Sequence, residues 1–448
     1  MKNLFVLISL LAVSTMSAQQ HFAGMNTSSR GGLVNGMLNP AELANFTAKY
    51  DVIIIAPSVI ASNNKIGFSE LVGGDQLEEK LFSGDETVNL HIDSEILGPG
   101  FAFGYNKWTF AFSTKASIRF DLVDVDPNIG DAIVNGGLNS LVNSTTLNND
   151  YNQRMNGTSW GEIGLSVARN LYDDGTHRIG AGATLKILFP GSYANFGANN
   201  FSGTINYLAG DVRLTDATAN LNIAYSGNLG EGFDEAGDYM KSLFGKPNGF
   251  AADFGINYQL HDEEPGKYRI NAGVAIRNLG SMTFSDSNNA STNYALEIPE
   301  TDSLNLNQFE DVSSLAEVEQ ILLESGFLDK TDNNSTDFKV SLPTSFVAYA
   351  DVKIIPTIYA TIFTQRRLKE NDGNTQITLE NVTSVTPRFL IKNVELYAPL
   401  SFNEISGFSA GAGFRAYGLS IGSSSIITAL AGDSKQADLY VGLTFRVE

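Results

Sequence analysis

The chain has 448 residues, with 43 glycines, 28 phenylalanines, 16 tyrosines, two tryptophans and no cysteine. The lack of cysteine excludes disulfides, thiolate nucleophiles and cysteine-type zinc sites, and four histidines leave little room for a histidine-rich metal site. A net charge of −20, from 29 basic and 49 acidic residues, repels polyphosphates and disfavours nucleic acid as a partner.

Mean hydropathy is −0.06, too polar for a bundle of membrane helices. It suits a transmembrane barrel, in which only alternate strand residues face lipid. The N-terminus carries a positive charge at Lys2, an apolar run from Leu4 to Val13 and small residues from Ser14 to Ala18. The run is too short to span a bilayer as a helix, and the pattern is that of a secretory signal peptide, 1–18, cleaved after Ala18. No later stretch approaches the ~20 apolar residues of a membrane helix. The sequence then divides into an N-terminal hatch or plug segment, 19–50, and a β-barrel, 51–448.

Asn39-Pro40-Ala41 opens the ordered pattern. Proline holds Asn39 extended, and a short helix is expected to follow with Glu42 in its first turn. That junction reads equally as a plain loop-to-helix turn and as a plug whose position sets whether a lumen is open. From Trp108 to Phe120 alternate residues separate. Trp108, Phe110, Phe112, Ile118 and Phe120 lie on one face, and Thr109, Ser113, Lys115, Ser117 and Arg119 on the other. The pattern recurs over 177–189, 253–260, 268–276 and 438–448. Further strand candidates are 51–60, 99–106, 160–171, 219–226, 344–354, 357–367, 385–392, 394–402, 407–416 and 417–426. The polar faces carry both signs of charge. In a barrel Lys115, Arg119, Glu162, Lys186, Asp253, Arg269 and Arg446 are therefore expected to face the lumen. Because the last strand reaches the end of the chain, it is expected to pair with an early one and close the ring.

Asn106-Lys107 and Asp173-Asp174-Gly175 are tight-turn material. By contrast 61–98, 121–157, 227–249, 281–336 and 368–384 read as long outer loops. Within these, 129–142, 234–244 and above all 313–325 look helical, the last capped by Ser313 or Ser314 with Glu317 near its first turn. The acidic stretch 124–131 departs from a calcium loop, having Ile129 where glycine is needed, and reads as a solvated loop. His21, His91, His177 and His261 read as scattered surface or loop residues. Gly407-Phe408-Ser409-Ala410-Gly411 matches a nucleophile elbow in letters only, because His261 is the last histidine and the hydrolase order requires one downstream. No catalytic constellation, metal site or cofactor is expected.

The segments Phe22-Ala23-Gly24-Met25-Asn26, Gly31-Gly32-Leu33 and Asn39-Pro40-Ala41 resemble the start of FadL-like barrels, in which such a segment plugs the lumen. Leu97-Gly98-Pro99-Gly100-Phe101, Trp160-Gly161-Glu162-Ile163-Gly164, Asp253-Phe254-Gly255-Ile256-Asn257 and Leu342-Pro343-Thr344 resemble a Bacteroidota outer-membrane family of unknown function. The resemblance implies an all-β fold: a transmembrane antiparallel up-and-down β-barrel of about 14 strands, with an N-terminal plug and long extracellular loops. It places the chain in the cell outer membrane, among lipid and lipopolysaccharide. Two functions follow as expectations. One is passive transport or binding of a hydrophobic or amphipathic molecule. The other is a scaffold or accessory subunit of an outer-membrane secretion (type IX-like), gliding or assembly complex, with secretion or assembly proteins as partners. Neither is enzymatic.

Overall fold

The computed structural model describes residues 21–73, 77–134, 144–208, 211–228, 244–264, 266–310, 312–332, 337–432 and 434–447. The signal-peptide reading, all but the last residue of the helix expected over 234–244, and residues 135–142 of the one expected over 129–142 fall outside them. In chain order the strands are β1 (Tyr50–Asn63), β2 (Val88–Leu97), β3 (Gly100–Tyr105), β4 (Trp108–Val125), β5 (Ser144–Asn148) and β6 (Asn152–Asp173). Then come β7 (His177–Leu208), β8 (Asp211–Ser226), β9 (Gly249–His261), β10 (Tyr268–Phe284), β11 (Ala290–Ile298), β12 (Leu304–Asn305) and β13 (Leu328–Lys330). The remainder are β14 (Phe338–Ser341), β15 (Ser345–Ile355), β16 (Ile358–Arg367), β17 (Val382–Ile391), β18 (Val394–Tyr397), β19 (Leu400–Asn403), β20 (Gly407–Ala410), β21 (Ala412–Ala416), β22 (Leu419–Ser423) and β23 (Gln436–Val447).

Several of these are halves of one wall strand. β2 and β3 are interrupted at Gly98-Pro99, yet both pair with β1 on one side and β4 on the other. Pro343 and Pro399, which offer no ladder N–H, sit in the breaks between β14 and β15 and between β18 and β19. Gly411 separates β20 from β21. With each broken strand taken as one, the wall runs β1, β2/β3, β4, β6, β7, β9, β10, β14/β15, β16, β17, β18/β19, β20/β21, β22 and β23. β23 returns to β1 with Tyr50 opposite Val447, so fourteen antiparallel strands close a ring. Closure gives every wall strand a partner on each side along at least part of its length.

The two ends of the ring differ. At one end lie the start of β1, the end of β23 and short turns such as Asn106-Lys107, Pro356-Thr357, Lys392-Asn393 and Tyr417-Gly418. Asn106, Lys392 and Tyr417 take the left-handed backbone that tight hairpins require. The other end carries long connections and a cap. The upper half of β7 leaves the wall there and pairs with β8, which continues into β11 and β12, while β5 and β13 extend this sheet. A helix over Leu315–Glu324 packs on it, with Ser314 accepting from the Glu317 N–H at 3.2 Å and Glu317 accepting from the Ser313 N–H at 2.9 Å. Glu319 of that helix accepts from the Tyr225 hydroxyl at 2.9 Å. The cap core gathers Phe201, Ile205, Leu214, Ile223, Tyr294 and Leu322.

The wall inverts a soluble protein. Leu165, Leu185, Phe254, Ile256, Val274, Ile276, Ile362 and Val385 stand exposed on its outside, while Lys115, Glu162, Lys186, Asp253 and Arg388 are buried within. Near the short-turn end, Tyr50 stacks on Phe101 with ring centroids 5.5 Å apart, and Phe103 stacks on Phe110 at 5.6 Å. Trp108 and Tyr105 are exposed beside them. An apolar belt edged by aromatic rings is the surface of a membrane-spanning barrel. No helix among the described residues is long and apolar enough to cross a membrane. Leu185 lies on the outer face and is 51% exposed. Leu185→Arg is expected to destabilise the barrel by about 2–4 kcal/mol, as a charge near the bilayer midplane does. Urea unfolding in lipid vesicles measures this, and a loss under half a kcal/mol would mean that this face meets water.

Three expectations are corrected. The segment 61–98 is not all loop, since it contains β2. The histidines are not all superficial, since His91 is buried and the His21 ring lies inside the barrel. The acidic stretch 124–131 is not a solvated loop either. It starts a helix over Pro127–Val134, and the Asp126 carboxylate accepts from the Asn128 N–H at 2.9 Å and from Asn149 Nδ2 at 3.0 Å.

Candidate functional site: a plugged, charge-lined lumen

Residues 21–49 lie within the ring. A helix over Leu33–Leu38 stops at Asn39, and a 3-10 turn over Pro40–Asn45 follows. Proline at the first helical position needs no N–H partner. Asn39 Oδ1 caps the turn by accepting from the Ala41 N–H at 3.0 Å. Its Nδ2 reaches the wall, donating to the Ile256 carbonyl at 3.2 Å and to the Tyr349 hydroxyl at 3.1 Å. Asn39 is thus fully buried, with both ends of its amide engaged.

Glu42 completes the seat. Its carboxylate accepts from Asn271 Nδ2 at 2.8 Å, Asn257 Nδ2 at 2.9 Å and the Tyr349 hydroxyl. Burial nevertheless raises the Glu42 carboxyl above its ordinary range. The wall makes room for this turn. A Cβ on Gly182 would lie 2.4 Å from the Pro40 carbonyl group, and one on Gly255 would lie 1.8 Å from Asn39 Oδ1. A side chain at Gly182 would collide with plug backbone, and one at Gly255 with the Asn39 amide.

A second anchor is Arg388, 2% exposed on β17. Its guanidinium pairs with Asp351 at 2.6 Å and Glu395 at 3.4 Å, and donates to the Gly24 carbonyl at 2.9 Å and to the Thr27 hydroxyl. Ser28 donates to the other Glu395 oxygen at 2.8 Å. Phe22 and Met25 fill the space beside Tyr397 and Tyr440.

Above the plug, charges alternate around the wall from strand to strand. Arg119 on β4 pairs with Asp93 on β2 at 2.6 Å, and Lys115 pairs with Glu95 at 2.9 Å. Glu162 on β6 lies 3.6 Å from Lys115 and 3.9 Å from Lys186 on β7, and Lys186 pairs with Asp253 on β9 at 2.8 Å. From the plug, His21 Nε2 approaches Asp93 at 3.1 Å, and His91 pairs with Asp121. The Trp160 ring lies under Arg119, 5.5 Å away. About 90 Å³ remains open between ladder and plug, room for a few waters and no more. His21, Asp93 and Glu95 come within 4.8 Å of one another, a spacing that suits a metal. Arg119 and Lys115 already hold those carboxylates, so a divalent ion there would compete with two buried cations.

Five of the seven residues expected in the lumen, Lys115, Arg119, Glu162, Lys186 and Asp253, meet in this ladder. Arg446 lies at the short-turn mouth, a third exposed, and pairs with Asp51 of β1 at 3.2 Å across the seam between last and first strands. Arg269 is a correction: its side chain is 52% exposed outside the ring and pairs with Glu263 at 2.7 Å. The β9–β10 register slips between Tyr268 and Ile270, so strict alternation fails there and Tyr268 turns inward to donate to Asp351 at 2.6 Å.

These features define a closed, fourteen-stranded membrane barrel with an internal plug. The chain belongs to a family of unknown function (DUF5723), whose model matches residues 40–423. Among solved structures it is similar to the Pseudomonas putida toluene transporter TodX, with 8% identity, a TM-score of 0.34, and 96% of this chain and 95% of that one covered. It is similar also to the Ralstonia pickettii toluene transporter TbuX (9%, 0.34, 93% and 94%). A third is the translocator domain of the autotransporter NalP from Neisseria meningitidis (8%, 0.30, 92% and 94%). Likeness this distant says nothing of what crosses the barrel. The comparison with curated proteins finds no match.

Proposed function

We propose that this chain is a non-enzymatic outer-membrane barrel that binds or passively admits a hydrophobic or amphipathic molecule, and that its N-terminal plug is the gate. The observation that carries the reading is the fit of Asn39-Pro40-Ala41 into a wall emptied of side chains at Gly182 and Gly255. A segment held by reversible hydrogen bonds in a pre-shaped seat is built to be kept there and to be released. The signal-like N-terminus, the apolar belt and the aromatic ring at the short-turn end support placement in the outer membrane, with the short turns toward the periplasm. The solute class rests on the FadL-like resemblance of the N-terminal segment.

The test compares the full chain with a form lacking residues 21–49 in planar bilayers and in vesicles loaded with small solutes. The full chain should be nearly silent and the shortened one conducting. Two silent proteins, with a stoichiometric protein partner recovered in mild detergent, would replace this reading with that of a scaffold.

A further inference from the structure

The connection between β16 and β17, residues 368–381, does not stand out into solvent. It turns in across the mouth opposite the short turns and is pinned around the ring. Thr375 accepts from the Ser341 N–H of β14, and the Ile377 N–H donates back to the Ser341 carbonyl, both at 3.0 Å. Arg154 of β6, 1% exposed, donates to the Asn371 carbonyl at 2.9 Å and to the Gly373 carbonyl. Tyr193 of β7 donates to the Asn374 carbonyl at 2.7 Å, and Arg119 of β4 to the Thr378 carbonyl at 3.0 Å. The Glu380 carboxylate accepts from Ser62 of β1 at 2.7 Å and from Asn403 of β19 at 2.6 Å. In wall order β4 is third and β17 tenth of fourteen, so Arg119 holds this segment from the opposite side of the ring.

Gln376, Ile377, Thr378 and Glu380 are buried. Ile377 joins Trp160, Tyr193, Met282, Phe284 and Phe338 of the wall strands in one apolar layer. The chamber of about 90 Å³ takes Leu379 and Glu380 into its lining from this segment, and His21 and Met37 from the plug. It therefore lies between the two. Connections ordinarily run over the surface, because a buried one would leave its peptide groups without water. Here Arg154, Tyr193, Arg119 and Ser341 answer those groups in turn. Gly197 leaves room for the segment, since a Cβ there would lie 2.2 Å from Asn374 Oδ1.

We propose that residues 368–381 form a strap that shuts the mouth opposite the plug. The lumen at rest is then a chamber closed at both ends, and a solute must displace two stoppers in turn. That the plug is one of them rests on the function proposed above, whereas the strap is argued from its own contacts. Its anchors on β6 and β7 are bonds to backbone carbonyls, which water can replace. The strap can thus lift from that side while β16 and β17 stay paired. With residues 21–49 removed it is the stopper that remains, so openings of that form should come in bursts timed by the strap.

The chain has no cysteine, so one introduced thiol is unique. Ser166→Cys places it in the chamber lining. The probe is a small, charged methanethiosulfonate added to the purified full chain in detergent, and its rate of reaction reports how often the chamber opens. In the otherwise intact chain the reaction should be slow. Adding Arg154→Met, which removes the donor to Asn371 and Gly373, should speed it about tenfold, the worth of one hydrogen bond to a charged group. Replacing residues 370–379 by three glycines should speed it further. Should that shortened form fail to fold, as judged by its heat-modifiable mobility, Arg154→Met alone decides. Fast reaction of the intact chain would show a chamber open at rest, and equal, slow rates in the intact and folded shortened forms would show that the strap closes nothing. Either result would overturn the inference. The plug stays in place in every form and conductance is not read, so the gate reading keeps its own test.

Discussion

Replacing Gly182 by leucine is expected to turn a silent barrel into a leaking one. The Cβ of any residue there would meet the Pro40 carbonyl at 2.4 Å, and what it meets is backbone, which has no rotamer to turn aside. Overpacking of this kind costs about 1–3 kcal/mol. If the plug relieves that strain by leaving its seat, the ratio of open to closed barrels rises by roughly 5- to 150-fold. Single-channel recording should show frequent openings, and cells should become permeable to bulky antibiotics. Gly104→Ala is the control, since its Cβ would lie 3.7 Å from Phe46, in ordinary contact. A folded, membrane-inserted Gly182→Leu barrel that stays silent would refute the gate.

The second large effect concerns stability. Arg388→Met removes the cation between Asp351 and Glu395 and leaves two buried carboxylates without their shared partner. Breaking a buried ion pair by deleting one partner costs about 3–5 kcal/mol, because the orphaned charge keeps its desolvation penalty. The Gly24 carbonyl and the Thr27 hydroxyl lose their donor in the same step, so that stretch of the plug loosens as well. Urea unfolding of refolded protein in detergent should show the loss. A triple variant that also carries Asp351→Asn and Glu395→Gln should recover much of it. If Arg388→Met alone were neutral, the node would be a bystander.

The barrel itself could be read from the chain, because lipid outside and polar groups inside impose a period of two on every wall strand. Trp108–Val125 is plain in this respect, with its rings outside and Lys115 and Arg119 within. What the pattern hides is instructive. β2 carries His91, Asp93, Glu95 and Leu97 on its inner face, so in letters it looks like an acidic loop. Those acids are the partners that let Lys115 and Arg119 be buried at all. Periodicity marks a strand by its apolar face, and here that face holds only Leu90, Ile92 and Ile96, interrupted by Ser94. Arg388 lay inside a strand candidate, but only its pairing partners, Asp351 on β15 two strands away and Glu395 on the adjacent β18, reveal its role. Arg269 fails for the opposite reason, since a slip in register is invisible in spacing. The cap was read as loops because β12 and β13 are short and β11 and β12 meet β8 across long stretches of chain. The glycines at the plug seat carry no signal alone, since a strand glycine becomes informative only when something is found pressed against it.

β7 runs for 32 residues, from the turn at His177 to Leu208 in the cap. Its lower half is laced to β6 and β9, and its upper half to β6 and β8. The cap therefore has no melting transition of its own, because freeing Phe201 or Ile205 means peeling back the chain that also closes the wall. Amide protection should extend along this strand without a step at the membrane surface, and the two regions should lose it together. During insertion the order is also set, since the cap sheet has no template to grow on until β7 has been threaded across.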